Sequence, residues 1–182
     1  MHLTLWAPTG TGRVDRVRTI VVMRHAKAEQ DGPTDFERRL AERGHRDAAE
    51  AGRWLAAQGV APEQALVSAA VRTQETWESL AEGAGWDLEP DLERALYSAG
   101  TETVLDLLRD VDPGITSVVV VGHNPTMASL AAVLDDGEGD EDAGNDLMDY
   151  PTSAVTVFAY DGEWDDLDEA SASVVAFHVG RG

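Results

Sequence analysis

Four consecutive valines at residues 118–121, running directly into Gly122-His123-Asn124-Pro125, constrain the fold of this chain more than any other stretch. A β-branched run without polar alternation reads as a strand buried on both faces, the kind found in parallel sheets covered by helices. Ile20-Val21-Val22-Met23 forms a second such run that ends in Arg24-His25, and a third β-prone piece lies at residues 65–67. Between them Ala48, Ala51, Gly52 and Leu55 recur at helical spacing with Gly59 as a stop. Val71, Trp77 and Leu80 mark a second helix that Ser68 is expected to cap, and Thr101 is expected to cap a third through Val104, Leu105, Leu108 and Val111. Pro113-Gly114 ends that third helix in this reading. Asn124 as N-cap, with Pro125 at the first helical position, opens a fourth through Met127, Leu130 and Leu134. Residues 154–160 and 173–179 read as a closing hairpin. The expected fold is therefore α/β: a three-layer α/β/α sandwich with a mostly parallel central sheet and an antiparallel edge near the C-terminus.

A chain of 182 residues is of single-domain size, so residues 18–182 are expected to form one domain behind a short extension at residues 1–17. Residues 135–149 carry eight acidic side chains (135, 136, 138, 140, 141, 142, 146 and 149) among glycines, and are expected to form a mobile acidic loop. Trp54, Trp77 and Trp86 are expected to fill core, and His45 and His178 to be structural or surface groups.

The net charge of −20 and a single lysine, Lys27, argue against nucleic-acid binding, because phosphate backbones are held by clustered Lys and Arg. The absence of cysteine excludes disulfides, thiolate metal sites and cysteine-nucleophile chemistry. No apolar run approaches the roughly 20 residues that cross a bilayer. Residues 1–18 lack the apolar core and cleavage site of a signal peptide. A cytoplasmic location with no membrane contact is the resulting expectation.

In open α/β sheets ligands bind beyond the carboxyl ends of the strands. Arg24-His25 and His123 each follow a strand directly and Arg72 follows another by a few residues, so one crevice can receive two arginines and two histidines. Guanidinium forks match phosphate oxygens, and the helix expected to start at Asn124 would add backbone N–H groups. A histidine attacks phosphorus through an unprotonated ring nitrogen, and neighbouring arginines disfavour further positive charge on it. The ring's other nitrogen then needs a partner, expected to be a backbone carbonyl. His25 is the candidate nucleophile, and His123 is suited to hydrogen-bond the phosphoryl group in protonated form. A metal site on these histidines is disfavoured, since no carboxylate accompanies either at ligand-like spacing.

These residues resemble the histidine phosphatase (phosphoglycerate mutase-like) superfamily, in particular its short SixA-type phosphohistidine phosphatase branch. The resemblance rests on residues 22–28 (VMRHAKA), Asp35-Phe36-Glu37-Arg38-Arg39-Leu40, Glu42-Arg43-Gly44, residues 68–76 around Arg72-Thr73-Gln74, Leu96-Tyr97-Ser98-Ala99, and residues 121–125, and spans residues 20–179. It implies that His25 becomes phosphorylated while Arg24, Arg72 and His123 bind the phosphoryl group, with no metal or organic cofactor. Ser68-Ala69 departs from the Ser-Pro common in the second-arginine segment. Mutase-like members also supply a carboxylic acid to the leaving group, for which Glu93 is the candidate by position, whereas the SixA-type branch is understood to lack it. Three readings of the partner stay open: a protein phosphohistidine, a small phosphate ester with residues 135–149 as a lid, and a non-catalytic module binding phosphorylated partners.

Overall fold

The strand signals of the sequence converge on one sheet in a computed structural model that describes residues 16–147 and 149–182. Its strands are β1 (Arg18–Arg24), β2 (Gln64–Ser68), β3 (Asp91–Glu93), β4 (Ser117–Gly122), β5 (Ala154–Tyr160) and β6 (Ser173–Val179), in the order β3-β2-β4-β1-β5-β6. The first four in that order run parallel, and β5 pairs antiparallel with both β1 and β6. The expected sandwich with its antiparallel edge is thus borne out. Most of the expected extension at residues 1–17 lies outside the described residues.

Side chains alternate across the sheet, and both faces are apolar. Val21, Met23, Val67, Val119 and Val121 pack under α1 (Glu42–Ala57) and α2 (Val71–Ala84), together with Leu55 and Trp77. Ile20, Val22, Leu66, Val118 and Val120 pack under α3 (Thr101–Arg109) and α4 (Thr126–Leu134) on the other face. Helices α1 and α2 meet backbone to backbone: a Cβ on Gly52 would lie 2.0 Å from the Leu80 carbonyl oxygen, and one on Gly83 2.1 Å from that of Ala49. Trp77 is buried, and Trp54 and Trp86 pack against the same cluster, as core fillers should.

Three expected caps are not caps. Ala70 precedes α2, and Ser68 Oγ lies instead 2.8 Å from His123 Nε2. Thr101 is the first residue inside α3, with Gly100 before it. Helix α3 ends at Arg109, ahead of the turn at Pro113-Gly114. Helix α4 begins at Thr126, because the Asn124 side-chain amide turns away to donate to the Tyr150 carbonyl at 2.8 Å.

Residues 135–147 are also more structured than their charge suggests. Asp136 N–H donates to Ala172 O at 3.0 Å and Asp140 N–H to Val174 O at 2.8 Å. A short helix, α5 (Glu141–Asp146), follows, and Ala143, Leu147 and the adjoining Tyr150 bury into the core. Apolar residues dispersed among the carboxylates anchor the segment. No described helix is long and apolar enough to cross a membrane.

Candidate active site

The carboxyl ends of β1 and β4 lie side by side, so Arg24-His25 and His123 leave the sheet next to one another. His25 N–H continues the ladder by donating to Gly122 O at 3.0 Å, and the two imidazole centroids stand 5.3 Å apart. Arg72 arrives from the first turn of α2, which follows β2, the other neighbour of β4. Thr76 Oγ1 accepts from Ala26 N–H at 3.0 Å and donates to Arg72 O at 2.6 Å, tying that helix to the peptide beside His25. The four residues singled out from the sequence therefore share one crevice.

His25 Nδ1 lies 2.7 Å from the Ala26 carbonyl oxygen, the backbone partner expected for it. A carbonyl only accepts, so Nδ1 carries the proton and Nε2 keeps its lone pair. Burial lowers the His25 pKa to about 4, with the Ala26 bond opposing and Arg72, Arg24 and Arg38 adding to the effect. Desolvation thus outweighs the arginines that the sequence suggested as the cause. His123 falls to about 3 through burial first, then through His25 and Arg72, with Asp35 opposing. It is neutral rather than protonated as expected, because its ring is desolvated among cations.

Arg24 is held by a bond from NH1 to Tyr150 O at 3.0 Å, and burial lowers its pKa. Arg24 Nε, Arg72 Nε and His123 Nδ1 are buried without a hydrogen-bond partner among the described residues, so this crevice holds polar atoms suited to an oxyanion. Glu93 stands at the end of β3, where its carbonyl accepts from Ala69 N–H at 3.3 Å, one strand beyond Ser68. His45 bonds Ser79, and His178 bonds Glu50 and stacks on Trp54. No group of three or more His, Cys, Asp or Glu among the described residues could hold a metal ion.

Sequence reasoning overlooked several neighbours. Ser68 orients His123, Asp35 binds Arg72, and Tyr97 packs edge-on to His123 at 5.6 Å. Their positions within the matched motifs were the available signal, but nothing local assigns a side chain to a partner tens of residues away.

The comparisons with known proteins agree with this geometry. The family description "histidine phosphatase superfamily (branch 1)" matches residues 20–98. An uncharacterised Mycobacterium tuberculosis protein is 39% identical over 162 residues, covering 87% of this chain and 100% of that protein. Phosphohistidine phosphatase SixA of Escherichia coli is 28% identical over 121 residues, covering 65% of this chain and 75% of that one. A solved structure from Nakamurella multipartitia, assigned as a phosphohistidine phosphatase SixA, superposes with a TM-score of 0.81 at 28% identity and covers 96% of this chain and 99% of its own. With the paired histidines and arginines at the carboxyl ends of the same sheet, the chain belongs to the histidine phosphatase superfamily and is a phosphatase.

Proposed function

We propose that the protein hydrolyses phosphohistidine in proteins through a phosphorylated His25. The observation that carries this is the His25 ring itself, buried and neutral, with Nδ1 tied to Ala26 O and Nε2 unprotonated. In the first step Nε2 forms a bond to phosphorus as the bond to the substrate nitrogen breaks. Water then attacks the phosphorus of the phosphorylated His25, the bond to Nε2 breaks, and orthophosphate leaves with the imidazole restored. Arg24 and Arg72 stabilise charge on the equatorial oxygens. With the Ser68 hydroxyl donating to Nε2 of His123, the Nδ1–H of His123 can donate a hydrogen bond to the phosphoryl group while the ring stays neutral.

Two features favour a phosphoramidate over an alkyl phosphate. Asp35, beside the crevice, has a pKa lowered to about 2, first by the Tyr97 hydrogen bond, and so holds no proton for a leaving group at neutral pH. An imidazole needs less such help than an alkoxide. Next to His123 a cleft of about 420 Å³, bordered by Tyr97, Ser98, Thr101, Pro125 and Thr126, is lined by no charged side chain. It suits a neutral ring on a protein loop better than a second anionic group.

The test compares parent and His25→Ala on a phosphohistidine peptide and on para-nitrophenyl phosphate, with trapping of the phosphoenzyme at neutral pH. The expected result is faster turnover of the peptide, and loss of turnover and phosphoenzyme in the variant. Full activity in His25→Ala would overturn the mechanism, and preference for the phenyl ester would reassign the substrate to small phosphate esters.

A further inference from the structure

Asp35 binds the same arginine that would hold the phosphoryl group. Arg72 NH1 donates to the Asp35 carbonyl oxygen at 2.6 Å, and NH2 donates to Oδ2 at 3.1 Å. Arg38 Nε donates to Oδ1 at 3.0 Å and the Tyr97 hydroxyl to Oδ2 at 2.7 Å. Three side chains thus fix a carboxylate that is 57% exposed, while the Arg72 side chain it holds is 6% exposed. The surrounding loop is equally tied down. Val71 N–H, at the start of α2, donates to Phe36 O at 3.0 Å, and the Phe36 ring meets that of Tyr97 at 4.9 Å. The Asp35 charge reaches the crevice, since it opposes the arginines at His123.

This arrangement has two consequences. Asp35 engages the terminal nitrogens of Arg72 and leaves its Nε–H, which has no acceptor, for an oxyanion. It also cancels part of the positive charge that a dianion would meet there. A phosphatase releases orthophosphate in every cycle, and a pocket with Arg24 and an uncompensated Arg72 would retain that product. We propose that Asp35 is a positioning residue that shares Arg72 with the phosphoryl group and holds down the affinity of the site for free oxyanions, so that product leaves. The proposal rests on the reading of Arg72 as a phosphoryl ligand.

Asp35→Asn removes the charge, preserves shape and keeps an oxygen acceptor. Glu37→Gln is the control, because Glu37 lies on the same loop but bonds Thr34 rather than Arg72. Calorimetric titration of parent and both variants with orthophosphate and with tungstate reads the affinity directly, whatever the physiological substrate. Asp35→Asn is expected to bind both oxyanions about tenfold more tightly, as loss of one close charge implies, and Glu37→Gln is expected to match the parent. In turnover, kcat and KM of Asp35→Asn should fall together as release slows. Equal or weaker binding by Asp35→Asn, or equal tightening by Glu37→Gln, would overturn the role of Asp35 while leaving the phosphatase reading intact. Failure of both the parent and Asp35→Asn to bind either oxyanion would remove both.

Discussion

His25 and His123 are both kept neutral chiefly by burial, so the site proposed to hold the phosphoryl group also makes the fold sensitive to acid. An unfolded histidine takes up its proton near pH 6.5, whereas these two do so at about 4 and about 3 in the folded chain. Between those values the unfolded state binds more protons, so stability is full above about pH 6.5 and is lost as pH falls toward 4 and then 3. Each histidine can contribute up to about 1.4 kcal/mol per pH unit across its window. His123→Asn cannot titrate there, and should show a shallower loss of unfolding free energy than the parent between pH 7 and 5. Denaturant titrations at successive pH values check this. Parallel slopes would mean that burial of His123 is not what couples this fold to protons.

At the scale of elements, the placement of Arg72 depends on how closely α1 and α2 approach. Because a Cβ on Gly52 would sit 2.0 Å from a backbone oxygen, it cannot be absorbed by a rotamer change. Gly52→Ala should cost about 1–3 kcal/mol or more in urea unfolding, and should lower activity by moving α2 relative to His25. Unchanged stability would show that the helices can separate without cost. The strands were legible because valine and isoleucine runs have few other uses, and the histidines and arginines because they stand where those runs stop. The caps were not. Ser68 and Asn124 are good capping residues by type, but tertiary partners, His123 and the Tyr150 carbonyl, claim their side chains. The acidic segment was misread for a related reason: its carboxylates mask Ala143 and Leu147, whose burial appears only when the sheet edge is in place.

For the whole molecule, the decisive quantity is a net charge of −20, with a cationic crevice set into it. The exposed ion pairs do little to offset that charge. Arg109 reaches Glu102, Asp106 and Asp168, but those carboxylates are 70%, 66% and 76% exposed, a setting in which a pair contributes about 0–1 kcal/mol. Repulsion among the remaining carboxylates acts over longer distances and opposes compactness. Salt shortens that reach, from a Debye length of about 30 Å at 0.01 M to about 3 Å at 1 M. The melting temperature should therefore rise as sodium chloride increases from low to high concentration, because screening removes more repulsion than attraction. Sulfate is unsuitable for this measurement, both because it strengthens apolar burial independently of screening and because it is an oxyanion that can enter the crevice. A melting temperature that falls with sodium chloride would mean that the ion pairs outweigh the repulsion, and that the excess carboxylates lie too far apart to strain the fold.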